Sequence, residues 1–120
     1  MAKYVDGFVI PLPKKNLHAY RRMATLGAKI WREHGALEYY ECIGDDLKVK
    51  WGKTFPRQMN LKTNETLVFS WIVYKSRAHR DRVNAKVMKD PRMNNPEMQK
   101  MMPFDMKRMC YGGFNVLVSW

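Results

Sequence analysis

The chain has 120 residues, a length that predicts a single domain spanning residues 1–120 with a core of its own. Hydrophobic residues make up 46% of it, which excludes an intrinsically disordered chain, and no stretch approaches the ~18 consecutive apolar residues of a membrane span. The net charge of +11 suits a surface that attracts nucleic acid or anionic ligands, and it equally suits solubility alone. The start of the chain lacks the apolar stretch of a signal peptide, so we expect a cytoplasmic protein.

The first half of the chain predicts a strand, a long helix and an edge strand. Tyr4–Ile10 is mostly apolar and β-branched, and Pro11 is expected to end it. Pro13–His34 carries apolar residues at three- and four-residue steps, which predicts an amphipathic helix that ends at Gly35. Leu37–Ile43 alternates loosely, as an edge strand does when one face is wet. A long connection, up to about residue 65, leaves room for one helical turn and a short extra strand.

The second half predicts a strand, a helix and a final strand. Thr66–Lys75 is almost unbroken apolar sequence, which is typical of a strand buried on both faces. Ser76 is placed to cap a helix that extends to about Met88. A methionine- and asparagine-rich segment with a short helix follows. Residues 108–119 then predict a last strand, in which Gly112 and its glycine neighbour mark a bulge or a close approach of the backbone.

This order of elements predicts an α+β fold, the ferredoxin-like βαββαβ arrangement with an antiparallel sheet and both helices on one face. The opposite face would be bare although its strands are apolar. A second copy of the sheet is the simplest cover and would give a homodimer in the form of a dimeric α/β barrel. A bound apolar ligand and aromatic stacking on nucleic acid bases are the alternatives.

No sequence pattern identifies a reaction. The chain has no phosphate-binding loop, nucleophile elbow or dinucleotide fingerprint, so we expect no cofactor and leave open whether the protein is an enzyme. Cys42 and Cys110 lie in apolar or aromatic runs without metal-ligand spacing, which predicts buried free thiols and no metal site. Seven of the ten methionines lie in residues 88–109, where they suit either a flexible apolar lid over a pocket or a soft-metal site.

Polar residues on otherwise apolar surfaces are the candidate ligand-binding groups. His79 and Arg80 fall on the core side of the second helix, as part of a pocket wall or of a structural polar network. Asp6 lies in a predicted central strand, where a carboxylate needs a partner such as Arg57 or Arg80. It would serve as a general base or ligand anchor, or as half of a structural ion pair. Trp71 is the candidate apolar wall of the pocket.

Several segments, distributed over essentially the whole chain, share the pattern of one bacterial family. They are Tyr4–Val9 with Pro11 and Pro13–Leu17, Trp31–Tyr39, Phe55–Arg57, Phe69–Tyr74, Ser76–Asp81, Val83–Met88 and Met102–Asp105 through Phe114. In these segments the chain resembles the YbaA-like family of uncharacterised proteins. The resemblance implies a dimeric α/β barrel and carries over no established activity and no catalytic residue. The lysines around Trp51 depart from the family pattern by making this chain more basic.

These observations rank three functions. The first is binding or modification of a small anionic or carbonyl-bearing molecule in a cleft between the sheet and the second helix. The second is RNA or DNA binding through the basic surface. The third is a structural or interaction dimer without a ligand. No membrane partner is expected.

Overall fold

A four-stranded antiparallel sheet forms the centre of the fold. The computed structural model describes residues 3–120. The strands are β1 Tyr4–Pro13, β2 Glu38–Ile43, β3 Glu65–Tyr74 and β4 Cys110–Asn115, in the spatial order β2-β3-β1-β4. The helices are α1 Leu17–Glu33, α2 Phe55–Gln58, α3 Arg77–Lys89 and α4 Pro96–Lys100, with 3-10 turns at Lys14–Asn16 and Met106–Arg108. This is the ferredoxin-like order that the sequence predicts, and α2 is the helical turn expected in the long connection.

Strand β1 is longer than predicted, because it continues through Pro11 to Pro13. It pairs with β3 along its whole length, whereas β4 pairs with it only from Tyr4 to Val9. Beyond Val9 one flank of β1 is therefore a sheet edge. A proline is tolerated at such an edge, because its missing N–H removes no ladder hydrogen bond there. The prediction that Pro11 ends the strand was wrong for this reason.

The two faces of the sheet have different surroundings. Successive side chains alternate between the faces, and α1 and α3 cover the face that carries Tyr4, Asp6 and Ile10. The buried residues on this side form two separate clusters. One surrounds Ile72 and Tyr74, and the other surrounds Ile10 and Tyr20. The space between the two clusters is where a cavity can form.

Neither α1 nor α3 covers the other side of the sheet, which we call the open face. The loop after β2 and the turn α2 cover one end of it, where Pro11 and Leu67 are buried. The rest is aromatic and solvent-accessible, with the side chains of Tyr40, Phe69, Trp71 and Phe114. Tyr40 stacks on Trp71 with ring centroids 4.9 Å apart.

Charged contacts fix the ends of the helices. Gly35 follows α1 with a φ of 109°, the left-handed conformation that glycine adopts most easily at a helix C-terminus. At the end of α3, Asp90 accepts from Arg92 and lies 2.9 Å from Nε2 of His34, so it ties the two helix ends together. The hydrogen bonds from Arg92 and His34 hold the pKa of Asp90 well below its usual range.

The C-terminal end of the chain departs from the prediction. β4 ends at Asn115, and the following residues are outside the sheet, with Leu117, Val118 and Trp120 among the most exposed side chains. Cys42 and Cys110 are free, but they are exposed rather than buried as expected. Both lie on outer strands of the sheet, where only one flank of the chain is covered. In residues 3–120 no helix has the length and apolarity needed to cross a membrane.

Candidate functional site

A cavity of about 650 Å³ lies between the helix-covered face of the sheet and the elements above it. Its floor includes Phe8, Ile72 and Tyr111 of the sheet. The walls combine the apolar side of α1, two residues of α3 and the methionine-rich segment that follows. The lining side chains are almost all apolar or aromatic, which is typical of a site for a small organic molecule.

Methionines form a large part of the cavity wall. Seven of them line it, one from α1, one from the end of α3 and five from the segment after α3: Met23, Met88, Met93, Met98, Met102, Met106 and Met109. The thioether side chain is unbranched and flexible, so it can adapt to contents of different shapes. The segment thus lies where a lid would lie, over the opening between the two core clusters.

A carboxylate held by two phenols lies at one end of the cavity. Tyr20 in α1 donates from its hydroxyl to Oε1 of Glu41, and Tyr39 in β2 donates to Oε2, each at 2.7 Å. Tyr39 and Glu41 are two residues apart in β2, so they point to the same face of the sheet. Burial and the charge of Glu41 raise the pKa of both tyrosines, which keeps them protonated as donors.

A second polar cluster stands behind the other end of the cavity. Arg80 Nη1 lies 2.7 Å from Oδ1 of Asp6 and donates to the Tyr111 hydroxyl at 2.9 Å. Asp6 is only 1% exposed. Burial raises the pKa of Asp6 although Arg80, Asn84 and Tyr111 all oppose the shift. Tyr111 and Asn84 line the cavity while the ion pair does not, so the pair supports the wall from behind.

The structure separates the five residues that the sequence predicts as ligand-binding groups. Asp6 and Arg80 come together as an ion pair. Nδ1 of His79 accepts from the backbone N–H of Lys75 at 2.9 Å, so this ring joins strand to helix; burial lowers the pKa of His79. Its side chain is not part of the cavity lining.

Arg57 and Trp71 lie elsewhere. Arg57 is in α2, exposed to solvent at the end of the open face. Trp71 has odd parity in β3, so it points to the open face while its neighbours Ser70 and Ile72 point into the cavity. The sequence predicts that Trp71 lines a pocket beside the second helix. In the structure its side chain lies on the opposite face of the sheet.

The sequence prediction missed the Glu41 cluster. The signal was present in two patterns: Tyr39 and Glu41 alternate in an edge strand, and Tyr20 belongs to the apolar stripe of α1. The loose alternation of Leu37–Ile43 predicts an edge strand with one wet face but does not say which of its side chains meet a helix. In the structure the helix α1 extends along that edge, and Tyr20 of α1 donates to the carboxylate of Glu41.

Comparison with known proteins places the chain in a family. A family model described as "Protein of unknown function (DUF1428)" matches residues 3–106. The chain belongs to the DUF1428 family. Relatives of this DUF1428 protein include the uncharacterised protein YbaA of Escherichia coli K12, which is 45% identical over 117 residues covering 98% of each chain. The YbaA of Shigella flexneri matches with the same identity and coverage. The YbaA-like resemblance read from the sequence is thereby confirmed.

Solved structures of similar shape confirm the fold of the DUF1428 chain. A dimeric ferredoxin-like protein from an uncultured marine organism superposes with a TM-score of 0.61 at 13% identity, over 100% of both chains. The de novo designed protein Foldit4 superposes with a TM-score of 0.50 at 11% identity, covering 98% of this chain and 99% of its own. At these identities the likeness establishes the α+β ferredoxin-like architecture and nothing about activity.

Proposed function

We propose that this protein binds a predominantly apolar small molecule in the cavity between its sheet and its helices. The observation that supports this most directly is the cavity itself. Its volume of about 650 Å³ falls in the range of roughly 300–1,000 Å³ that is usual for ligand sites. Its lining combines aromatic rings and thioethers with a few polar groups at defined places, which is the composition that orients a ligand.

The chemistry of the lining refines the ligand class. Within residues 3–120, no Lys, Arg or His side chain lines the cavity, and Glu41 supplies its one carboxyl group. An anion placed there would meet a carboxylate and no compensating positive charge. The anionic class expected from the sequence is therefore disfavoured. A ligand with an apolar body and a small polar group fits the lining better.

A cavity-blocking variant tests this proposal. The probe is N-phenyl-1-naphthylamine, a neutral dye whose fluorescence rises in apolar surroundings. We expect saturable binding of one dye per chain, and at least tenfold weaker binding by Ala24→Phe, because Ala24 is a small residue of the cavity wall. The matched control is Ala85→Phe, which adds the same ring to an exposed site of α3. Equal binding by both variants would show that the dye binds outside the cavity.

We also propose that two copies pair through their open faces. Monomeric proteins rarely expose large contiguous apolar patches. Here Phe69 is 47% exposed and Phe114 61% exposed on the same face. The residues after β4 add further exposed apolar side chains, among them Leu117 and Trp120. The ferredoxin-like protein of the marine organism, which has the same architecture, is described as dimeric. A two-fold pair would cover both faces at once and leave each cavity on the outside of the sheet pair.

The oligomeric state tests the pairing. Sedimentation analysis should find a dimer for the unmodified protein and a monomer for Phe69→Arg, because the new charge would be buried in the interface. Leu37→Arg is the control. Leu37 is exposed to a similar extent, 42%, but it continues the alternation of Tyr39 and Glu41 and so lies on the helix-covered side of the sheet. An unmodified monomer would refute the pairing. A monomer whose open face binds single-stranded RNA would instead favour the stacking alternative.

A further inference from the structure

Glu41, which is half-buried, differs from the three buried carboxylates of the described chain. Asp6, Glu65 and Asp90 are each paired with an arginine. Glu41 forms no ion pair in the described chain; its partners are the two neutral phenols of Tyr20 and Tyr39. Glu41 has no such partner although the chain carries 22 Lys and Arg residues against 11 Asp and Glu.

The carboxylate retains capacity for a further partner. A carboxylate has about four lone-pair positions, and each oxygen of Glu41 accepts one hydrogen bond from a tyrosine. The two phenols fix the direction of the group and do not neutralise it. A partly buried negative charge gains most when a cation completes its hydrogen bonding.

Aromatic rings surround the same end of the cavity. The ring of Phe104 lies 5.8 Å from that of Tyr20, and the ring of Trp31 lies 6.1 Å from that of Tyr39, measured between centroids. All four side chains line the cavity. Aromatic faces attract organic cations, and they do so more strongly when water is excluded.

Glu41 also marks the position where the cavity meets the surface. Together with Tyr20, Ala24 and Tyr39 it borders a second, outer groove of about 320 Å³ between α1 and β2. Arg21 lines that groove but forms no ion pair with Glu41. The carboxylate is therefore accessible to a ligand from outside while the apolar space extends inwards from it.

We propose that Glu41, held by Tyr20 and Tyr39, is the anchor for a protonated amine carried on an apolar body, which fills the methionine-lined cavity. The proposal rests on the proposed binding function and names the ligand class of that site. The ammonium group hydrogen-bonds the free lone pairs of Glu41, the neighbouring rings face its positive charge, and the apolar body packs against the thioethers.

Three naphthalene probes of matched shape test the anchor by calorimetry at pH 7. They are 1-naphthylmethylamine, which is cationic, 1-naphthylmethanol, which is neutral, and 1-naphthoate, which is anionic. We expect the amine to bind at least tenfold more tightly than the alcohol, as one charge-assisted hydrogen bond would give, and the naphthoate to bind most weakly. Glu41→Gln should bring the amine to the level of the alcohol while alcohol binding changes by no more than about twofold.

Two further variants separate charge from structure. Glu38→Gln removes a carboxylate from the same strand but from the opposite face, so it should keep the preference for the amine. Tyr39→Phe removes one donor and leaves the carboxylate, so the preference should persist there as well. If Glu41→Gln does not fold, the comparison of amine and alcohol on the unmodified protein still tests the anchor.

The possible results are distinguishable. If alcohol and amine bind equally to the unmodified protein, or if Glu41→Gln keeps the preference, the anchor is refuted and the apolar cavity site stands. If none of the probes binds and the neutral dye does not bind either, the proposed function fails and the anchor fails with it.

Discussion

Replacing Arg80 should destabilise the fold, because its guanidinium is the ion-pair partner of the buried carboxylate of Asp6. In Arg80→Met the apolar stem remains and the guanidinium is lost, so Asp6 keeps its buried position without its ion-pair partner. Breaking a buried pair by removing one member costs about 3–5 kcal/mol. The side chain of Arg80 is still 13% exposed, so we take the lower end, about 3 kcal/mol. At about 4 °C per kcal/mol for a domain of this size, Tm should fall by about 12 °C.

The loss should depend on pH in a defined direction. Burial already raises the pKa of Asp6 above its usual value, and losing the opposing charge of Arg80 raises that pKa further. A carboxyl whose folded-state pKa is raised costs stability when ionised and regains it on protonation. The free energy of unfolding that Arg80→Met loses should therefore be lost in full above the folded-state pKa of Asp6. The loss should shrink as pH falls towards the unfolded-state pKa near 3.8.

The assay is thermal unfolding at fixed protein concentration between pH 8 and pH 4, with Arg82→Met as the control at an exposed site of α3. Adding Asp6→Asn to Arg80→Met removes the unpaired charge, so the double variant should be more stable than Arg80→Met alone at pH 7. A double variant that is less stable, or a loss below about 1 kcal/mol at pH 7, would refute the assignment of Asp6 as a buried charge that depends on Arg80.

Two other predictions concern stability. Asp90→Asn should make stability depend less on pH in the acid range. The fold lowers the pKa of Asp90, so this carboxylate stabilises the protein above its unfolded-state pKa near 3.8, and that stabilisation is lost as pH falls through the folded-state pKa. Thermal unfolding from pH 6 to pH 2 measures this against Asp46→Asn, an exposed control, and an unchanged pH dependence would contradict it. Gly113→Ala should destabilise the fold by about 1–3 kcal/mol, because its Cβ would overlap the buried ring of Tyr4. Gly112→Ala, whose Cβ meets only ordinary contacts at 3.6 Å, should cost less in denaturant unfolding; equal losses would contradict the overlap.

The elements could be predicted because their signals are local. The apolar stripe of α1 predicts a helix by its periodicity, and the apolar run of β3 predicts a strand by its length and its β-branched and aromatic residues. Ser76 caps α3 as expected, with its hydroxyl accepting from the N–H of His79 at 3.1 Å. The glycines of β4 mark a close backbone approach, as predicted, since Gly113 lies against Tyr4. The register of β4 with β1 is continuous, so the alternative of a bulge is not realised.

The site could be predicted only in part, because it depends on which elements meet in space. The pairing of Asp6 with Arg80 was among the alternatives that the strand and helix patterns allowed. Predicting which face of the sheet carries Trp71 required the register of β3 relative to the helices, and a run that is apolar at almost every position does not specify that register. The contact between Glu41 and Tyr20 required knowing that α1 extends along the edge strand, which no local pattern contains.

The methionine-rich wall makes the cavity directly observable. With carbon-13 on the methyl groups of methionine, one NMR spectrum would carry seven signals from the lining. Met59 and Met101 lie outside the lining and would serve as internal references. Methyl shifts respond to nearby aromatic rings, so a bound molecule would move the lining signals and leave the references in place. The same side chains that allow the pocket to adapt its shape would thus report whether it is occupied, without any substitution in the protein.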